Sequence, residues 1–293
     1  MQGELAALGA ALIWAIAAVI YTGVGRQLSP LVLNLAKGLI AIALLILTLL
    51  PLGTLLPPAE PKTLVLLLFS GAIGIGLGDT AYFEALNCLG PRRTLVLESL
   101  APPLAALLAL IFLQERLTTI AWFGILLTVF GVTWVILERS ADTPEPQSRP
   151  LRGFGFGLLA AATQASGAVM SRAALAGTDV DPLWSTFVRL IGGMVMLLLW
   201  LVVQRQPARS LKPLQSWRLL TVIAGTAFAS TYLGIWLQQV SLKYAPTGVA
   251  QSLSATSPLF VLPIAIAIGD RVSVRAVLGG LVAIGGIWLL FGR

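Results

Sequence analysis

Apolar residues fall in ten long runs, at 4–24, 31–50, 64–87, 93–113, 119–137, 153–174, 183–203, 216–240, 247–268 and 273–291, separated by short polar or proline-containing connections. Within each run the apolar positions lie on all sides and do not alternate with polar ones, the pattern of a helix in lipid and not of a barrel strand. A helix needs roughly 20 mostly apolar residues to cross about 30 Å of hydrocarbon. Its backbone polar groups must be satisfied inside the segment, because lipid offers none in exchange. The pattern therefore predicts an all-α polytopic membrane protein of ten transmembrane helices, with the lipid bilayer as its surroundings and the inner or plasma membrane as its place.

The longest polar break, 138–152 (ERSADTPEPQSRPLR), divides the runs five and five. An odd number of helices in the first half sends the second half in from the opposite face, which predicts two inverted five-helix repeats. The halves also align without gaps. Displaced by 155 positions, Pro91 meets Pro246, Ser99 meets Ser254, Pro103 meets Pro258, Arg116 meets Arg271, Gly124 meets Gly279 and Gly131 meets Gly286. Displaced by 152, Pro30 meets Pro182 and Lys37 meets Arg189. Leucines would match by chance in such apolar text, whereas prolines and cations would not. The expected organisation is a first repeat over 1–137, a linker loop over 138–152 and a second repeat over 153–293. Neither half alone encloses a polar site in lipid, so the two form one functional unit.

Composition agrees: 57% of residues are hydrophobic, 11% are charged, and the mean hydropathy is +0.92. The net charge of +7 sits in the connections, without the interleaved aromatics of a nucleic-acid groove. Cys88 stands alone and histidine is absent, which removes internal disulfides, histidine metal ligands and His-based triads together. No metal, cofactor or nucleic-acid partner is expected. Without a Walker sequence, ATP is not the direct energy source. The N-terminus lacks a basic leader and runs into a full-length span, so no cleaved signal peptide is expected.

Function resides in what the spans contain beyond apolar residues. An ionisable side chain near the middle of a span costs at least about 2.5–3.5 kcal/mol, so it faces a cavity or a partner. Lys37, Asp79, Glu84, Glu98 and Arg189 are such groups. Lys37 lies seven residues after Pro30, and Glu84 and Glu98 lie seven either side of Pro91. At 1.5 Å per residue all three sit roughly 10 Å from one face, so Lys37 pairs with Glu84 or Glu98, as a structural bridge or within a site. The second half has Gln239 and Leu253 where the first has Glu84 and Glu98, leaving Arg189 without an intramembrane acid of its own and suited to grip a carboxylate or phosphate. Asp79, Glu84 and Glu98 are the candidates for proton coupling.

Asp79 closes the run Gly74-Ile-Gly76-Leu-Gly78-Asp79. No strand precedes these glycines, so they are not a dinucleotide fingerprint; close packing or a bendable helix wall is the expected use. Gly-Leu-Gly-Asp also matches intramembrane aspartyl proteases, whose chemistry needs a second aspartate. Asp142, Asp179, Asp181 and Asp270 all lie in connections or at helix ends, so an enzyme is not the expected reading. In the fourth and ninth spans Ser99, Pro102, Pro103 and Ser254, Ser257, Pro258, with Pro263 beyond, break the helix at matching places and free carbonyls, a pointer to a transporter's central site. Trp14, Tyr21, Tyr82, Gln164, Tyr232, Trp236, Gln239, Gln251, Ser252, Ser254 and Thr256 are expected near it. Glu115-Arg116 and Asp270-Arg271 read as structural corners, with Thr118 and Ser273 capping the next helices. Gly124, Gly131, Gly279, Gly280, Gly285 and Gly286 give smooth faces for contact between repeats or in a homodimer.

The chain resembles the EamA-type family of the drug/metabolite transporter superfamily. The likeness rests on Gly9–Trp14 (GAALIW), on the basic residues Lys37 and Arg189 in the second and seventh spans, and on Gln114-Glu115-Arg116-Leu117-Thr118 with Gly124 and Gly131. The last pattern returns as Gly269-Asp270-Arg271-Val272-Ser273 with Gly279 and Gly286. The resemblance implies a ten-helix carrier of small metabolites or drugs with a central cavity between its repeats. Together with the aromatic and amide groups, it gives the expected function: a secondary transporter, an exporter, of small organic metabolites such as amino acids or related amphipathic compounds. Alternating access would work around Trp14, Lys37, Asp79, Tyr82, Glu98, Gln164, Arg189, Trp236, Gln239 and Ser254. A passive facilitator or channel and an aspartyl-protease-like enzyme are the alternatives.

Twelve Lys and Arg lie in odd-numbered connections against five in the even ones and the C-terminus. The positive-inside rule then puts both ends outside the cytoplasm, whereas the resembling family commonly keeps both inside. The charge count predicts that a reporter fused at Arg293 is active only outside the cytoplasm; activity confined to the cytosol would reverse the orientation.

Overall fold

The computed structural model describes residues 1–24, 30–57, 59–138, 150–203, 216–268 and 273–291. The linker residues 139–149, the connections holding Arg26, Arg205, Arg209 and Lys212, the Asp270-Arg271 corner, Arg293 and the side chain of Tyr21 lie outside that description. Among the described residues all regular structure is helical. The elements are α1 (Gln2–Val24), α2 (Pro30–Leu49), α3 (Pro61–Gly71), the π-helical segment π1 (Ala72–Gly78), α4 (Asp79–Glu98), α5 (Ala101–Phe112), α6 (Thr119–Glu138), α7 (Pro150–Leu175) and α8 (Pro182–Val203). The rest are α9 (Trp217–Ala227), a second π-helical segment π2 (Phe228–Leu233), α10 (Gly234–Tyr244), α11 (Thr247–Ser254), α12 (Ser257–Ile268) and α13 (Val274–Phe291).

Eight helical stretches of the described residues are long and apolar enough to cross a membrane, from Leu31–Leu49 and Pro61–Leu89 to Trp217–Tyr244 and Val274–Phe291. α1 is a helix over Gln2–Val24 where the first run was predicted, and the ninth run is divided into α11 and α12. The surface suits lipid, with Leu47, Phe112 and Trp288 each more than two-thirds exposed. The interior is made of small residues: Ala7, Ala10, Ala11 and Ala15 of α1 are fully buried. Hydrocarbon outside removes the hydrophobic drive between helices, so close backbone approach through small residues replaces it.

The two π-helical segments begin 156 positions apart, at Ala72 and Phe228, and so recur at corresponding places in the two halves. No apolar pattern signals them, since a π turn inserts a residue without altering hydrophobicity. Hydroxyls take up carbonyls beside them: Thr80 Oγ1 donates to Gly76 O at 2.6 Å and Ser230 Oγ to Thr226 O at 2.8 Å. The proline breaks recur as well, at Ser99–Leu100 and Ala255–Thr256. Pro102 and Pro103 fall in the first turn of α5, where missing N–H groups cost little. The expected exposed carbonyls are instead covered locally. Ser99 Oγ donates to Val96 O at 2.6 Å and Thr256 Oγ1 to Leu253 O at 2.6 Å, while Ser257 Oγ donates to Ser254 O at 3.2 Å.

Corresponding helices meet head to tail. α6 lies antiparallel to α13: Gly124 faces Leu290, Gly131 faces Ala283 and Gly279, and Gly286 faces Thr128. Gly124, Gly131, Gly279 and Gly286 are thus packed within one chain. α2 runs against α8, with Leu35 beside Met194 and Leu45 beside Trp184 and Val188. Asp181 caps α8 through the N–H groups of Leu183 (2.7 Å) and Trp184 (3.0 Å), and Thr118 and Ser273 cap α6 and α13 as expected. Gln2, Glu115, Arg172, Tyr244 and Phe291 lie towards one end of the bundle, called here the Glu115 face; Leu89, Gly153 and Pro30 lie towards the other, the Pro91 face.

A Cβ on Gly131 would stand 2.6 Å from Gly279 O and press on the Ala283 backbone, whereas one on Gly285 would find its nearest atom, Leu127 Cδ2, at 3.9 Å. Gly131→Val is expected to destabilise the protein by about 1–3 kcal/mol through overpacking, and Gly285→Ala to leave it unchanged. Thermal melts of the purified protein in detergent check the contrast.

Candidate functional site

Glycines decide where the charges of α8 arrive. A Cβ on Gly71 would fall on the carbonyl of Arg189, and one on Gly192 on the carbonyl of Leu68, so α8 crosses α3 and π1 at backbone contact and carries Arg189 into the bundle. Gly74 leaves room for the guanidinium, since a Cβ there would lie 3.1 Å from Arg189 Nη2 and 3.5 Å from Gln164 Oε1. The glycine run before Asp79 thus serves close packing and, through π1, a remodelled helix wall. Together α1, α2, π1, α4, α7, α8, π2 and α10 enclose a cavity of about 390 Å³.

Arg189 forms its cationic wall. The residue is only 2% exposed; its Nη1 donates to Gln238 Oε1 and to Gln239 Oε1, each at 3.1 Å. Gln239 is held in turn, its Nε2 donating to Ser185 Oγ at 3.1 Å. Two neutral amides orient the guanidinium without cancelling its charge, and its Nε has no hydrogen-bond partner among the described residues. A cation so placed keeps its attraction for an anion.

Acidic groups line the cavity as well. Asn34 Nδ2 donates to Asp79 Oδ2 at 2.9 Å, and Lys37 Nζ donates to Asn34 Oδ1 at 3.3 Å. Asn34 and Lys37 stand three residues apart on one face of α2. The amide can donate at one end and accept at the other, which lets it stand between ammonium and carboxylate. Glu98, the last residue of α4, also lines the cavity, and its buried Oε2 has no hydrogen-bond partner among the described residues. Trp14 and Tyr82 add aromatic surface. Trp14 Nε1 donates to Ser230 O at 2.9 Å within π2, and Tyr82 meets Phe83 edge-on with centroids 5.7 Å apart.

Of the residues singled out from the sequence, Trp14, Lys37, Asp79, Tyr82, Glu98, Gln164 and Arg189 line this cavity. Gln239 stands behind it as a support of Arg189. Trp236 and Ser254 are not part of the lining. Glu84 is also elsewhere: its carboxylate lies 3.5 Å from Arg152 Nη2 of α7, on a half-exposed surface. Equal depth put Glu84 and Glu98 on a par; rotation about the helix axis separates them. Tyr232 stacks on Phe228 at 5.5 Å and packs into the cluster of Ala41, Leu45 and Trp184, and Gln251, Ser252 and Thr256 are buried around α11.

Sequence reasoning missed Asn34, Gln238 and Thr231. Asn34 carried a usable signal, an amide in an apolar run one turn before Lys37. Gln238 stood beside Gln239 with nothing to rank the two.

A family model described as the EamA-like transporter family matches residues 1–137 and 151–292. No curated protein matches the chain. A solved structure described only as a crystal structure of a protein aligns with a TM-score of 0.78 at 19% identity, covering 98% of this chain and 95% of the other. It supports the fold.

Proposed function

Because the chain belongs to the EamA-like transporter family, an integral membrane protein of the cell membrane in the drug/metabolite transporter superfamily, we propose that it is a secondary carrier. It exports small organic metabolites, such as amino acids or related amphipathic compounds. One observation carries this reading: a single cavity has Arg189 with an unpartnered Nε on one wall and Glu98 with an unpartnered Oε2 on another. Buried polar atoms are normally satisfied, so these two suit a solute that brings an anionic group and a cationic one. Trp14 and Tyr82 receive its apolar part. A volume of about 390 Å³ falls in the range of small-molecule sites.

The reading includes ten membrane helices in two inverted repeats. Its support is the antiparallel setting of α2 against α8 and of α6 against α13, together with the recurrence of π segments and proline breaks. α11 and α12 then form one broken ninth span, as α4 and α5 share the broken fourth. The aspartyl-protease reading calls for a second aspartate beside Asp79; among the described residues the Asp79 carboxylate accepts the amide of Asn34.

Alternating access distinguishes a carrier from a channel. Reconstituted protein preloaded with an amino acid mixture is expected to show saturable counterflow of a labelled amino acid; flux that rises linearly with concentration would indicate a channel. Glu98 is the coupling candidate, being an acid in the cavity with an unpartnered oxygen. Glu98→Gln is expected to abolish flux driven by a pH gradient while leaving the protein monodisperse. Unchanged flux and pH dependence would remove Glu98 from the mechanism.

A further inference from the structure

On α7, Arg172 lies eight residues beyond the cavity-lining Gln164, towards the Glu115 face. There it forms an ion pair with Glu115. Arg172 Nε donates to Glu115 Oε1 at 2.5 Å, and Arg172 Nη1 donates to Leu242 O at 2.8 Å and Lys243 O at 2.7 Å. The other carboxylate oxygen, Glu115 Oε2, accepts the N–H of Thr247 at 2.8 Å. The cation therefore sits on the C-terminal carbonyls of α10 and the anion on the first N–H of α11, each at the helix end whose dipole favours it. Glu115 belongs to the first repeat; Arg172 and both helix ends belong to the second. Each side chain is about 15% exposed, at 16% for Glu115 and 15% for Arg172, so this is no surface pair with water as an equal alternative.

The interior beside the pair is anomalous. Ser241, Thr247 and Ser254 are 0%, 0% and 5% exposed, yet their hydroxyl oxygens have no hydrogen-bond partner among the described residues. Thr247, Gln251 and Ser254 are spaced i, i+4, i+7 and share one face of α11. Ala250, beside them, packs on Ala168, Leu175 and Leu242, which locates that face among α7 and α10. A junction selected for packing alone would be apolar here, because a buried donor or acceptor without a hydrogen bond is destabilising.

On the carrier reading, to which this adds, we propose that the Glu115–Arg172 pair is the latch of the Glu115 face. The Thr247–Gln251–Ser254 stripe lines the half of the solute path that the latch shuts. Release of the pair frees the ends of α10 and α11 together, and the stripe then offers uncharged donors and acceptors to a polar solute leaving the Arg189 and Glu98 walls. Ser254, absent from the cavity in this conformation, belongs to the path in the other.

The test uses purified full-length protein with Cys88→Ala and a single new cysteine, at Ser254 or at Ile235, a half-buried residue of the cavity wall, and a water-soluble methanethiosulfonate reagent. With the latch intact, Ser254→Cys is expected to label slowly and Ile235→Cys readily. Adding Glu115→Gln is expected to speed labelling at 254 about tenfold, the effect of losing one charge-assisted bond, and to slow it at 235. Arg172→Lys, which keeps the charge but loses the fork, carries the same expectation should Glu115→Gln fail to give monodisperse protein. An unchanged rate at 254, or faster labelling at both positions, overturns the latch. Saturable counterflow by the native protein separates the two readings: its absence removes the carrier, whereas its presence with unchanged labelling removes only the latch.

Discussion

Hydrocarbon supplies no hydrogen bonds, and nearly every feature of this bundle follows from that. Ordinary helices satisfy their own backbone. Where the chain departs from ordinary helix, at π1, π2, Ser99 and Thr256, a hydroxyl stands within one turn and takes up a carbonyl. Trp14 does the same across the repeats by donating to Ser230 O. The irregular backbone is therefore permitted only where side chains have been placed to serve it, and π1 and π2 both border the cavity.

The same constraint governs the charges. Arg189 enters the interior accompanied by two glutamines, and Asp79 and Lys37 enter with an asparagine between them. Amides are the economical companions here, because they donate and accept at once and carry no net charge to neutralise the group they support. Arg189 Nε and Glu98 Oε2 are buried without a hydrogen-bond partner among the described residues. The duplicated scaffold has thus been made chemically asymmetric: its acids, Asp79 and Glu98, come from the first repeat, and its most buried cation comes from the second.

Around the Glu115 face, helix ends from both repeats converge on an ion pair and bury hydroxyls that bond to nothing described. Close packing by glycine, as between α6 and α13, fixes helices as rigid pairs. A polar junction between such pairs has an alternative partner in water and is the natural place for them to part.

The sequence by itself determined the spans, the duplication and the proline breaks. Hydrophobic length and residue identity are local properties, and the bilayer reads them directly. It also supplied most of the cavity's polar groups, since an ionisable residue in an apolar run has few places to go. The third dimension decided which of two equally deep acids, Glu84 or Glu98, turned inward, because that depends on rotation about a helix axis. It made the pairings Arg189–Gln239 and Glu115–Arg172, whose partners lie some 50 residues apart or more in the chain. It placed Ser254 away from the cavity, and it set the glycines of α6 against those of α13 within one chain. Partnership across a helix interface belongs to the packed bundle, where backbone approach, not residue type, selects which atoms meet.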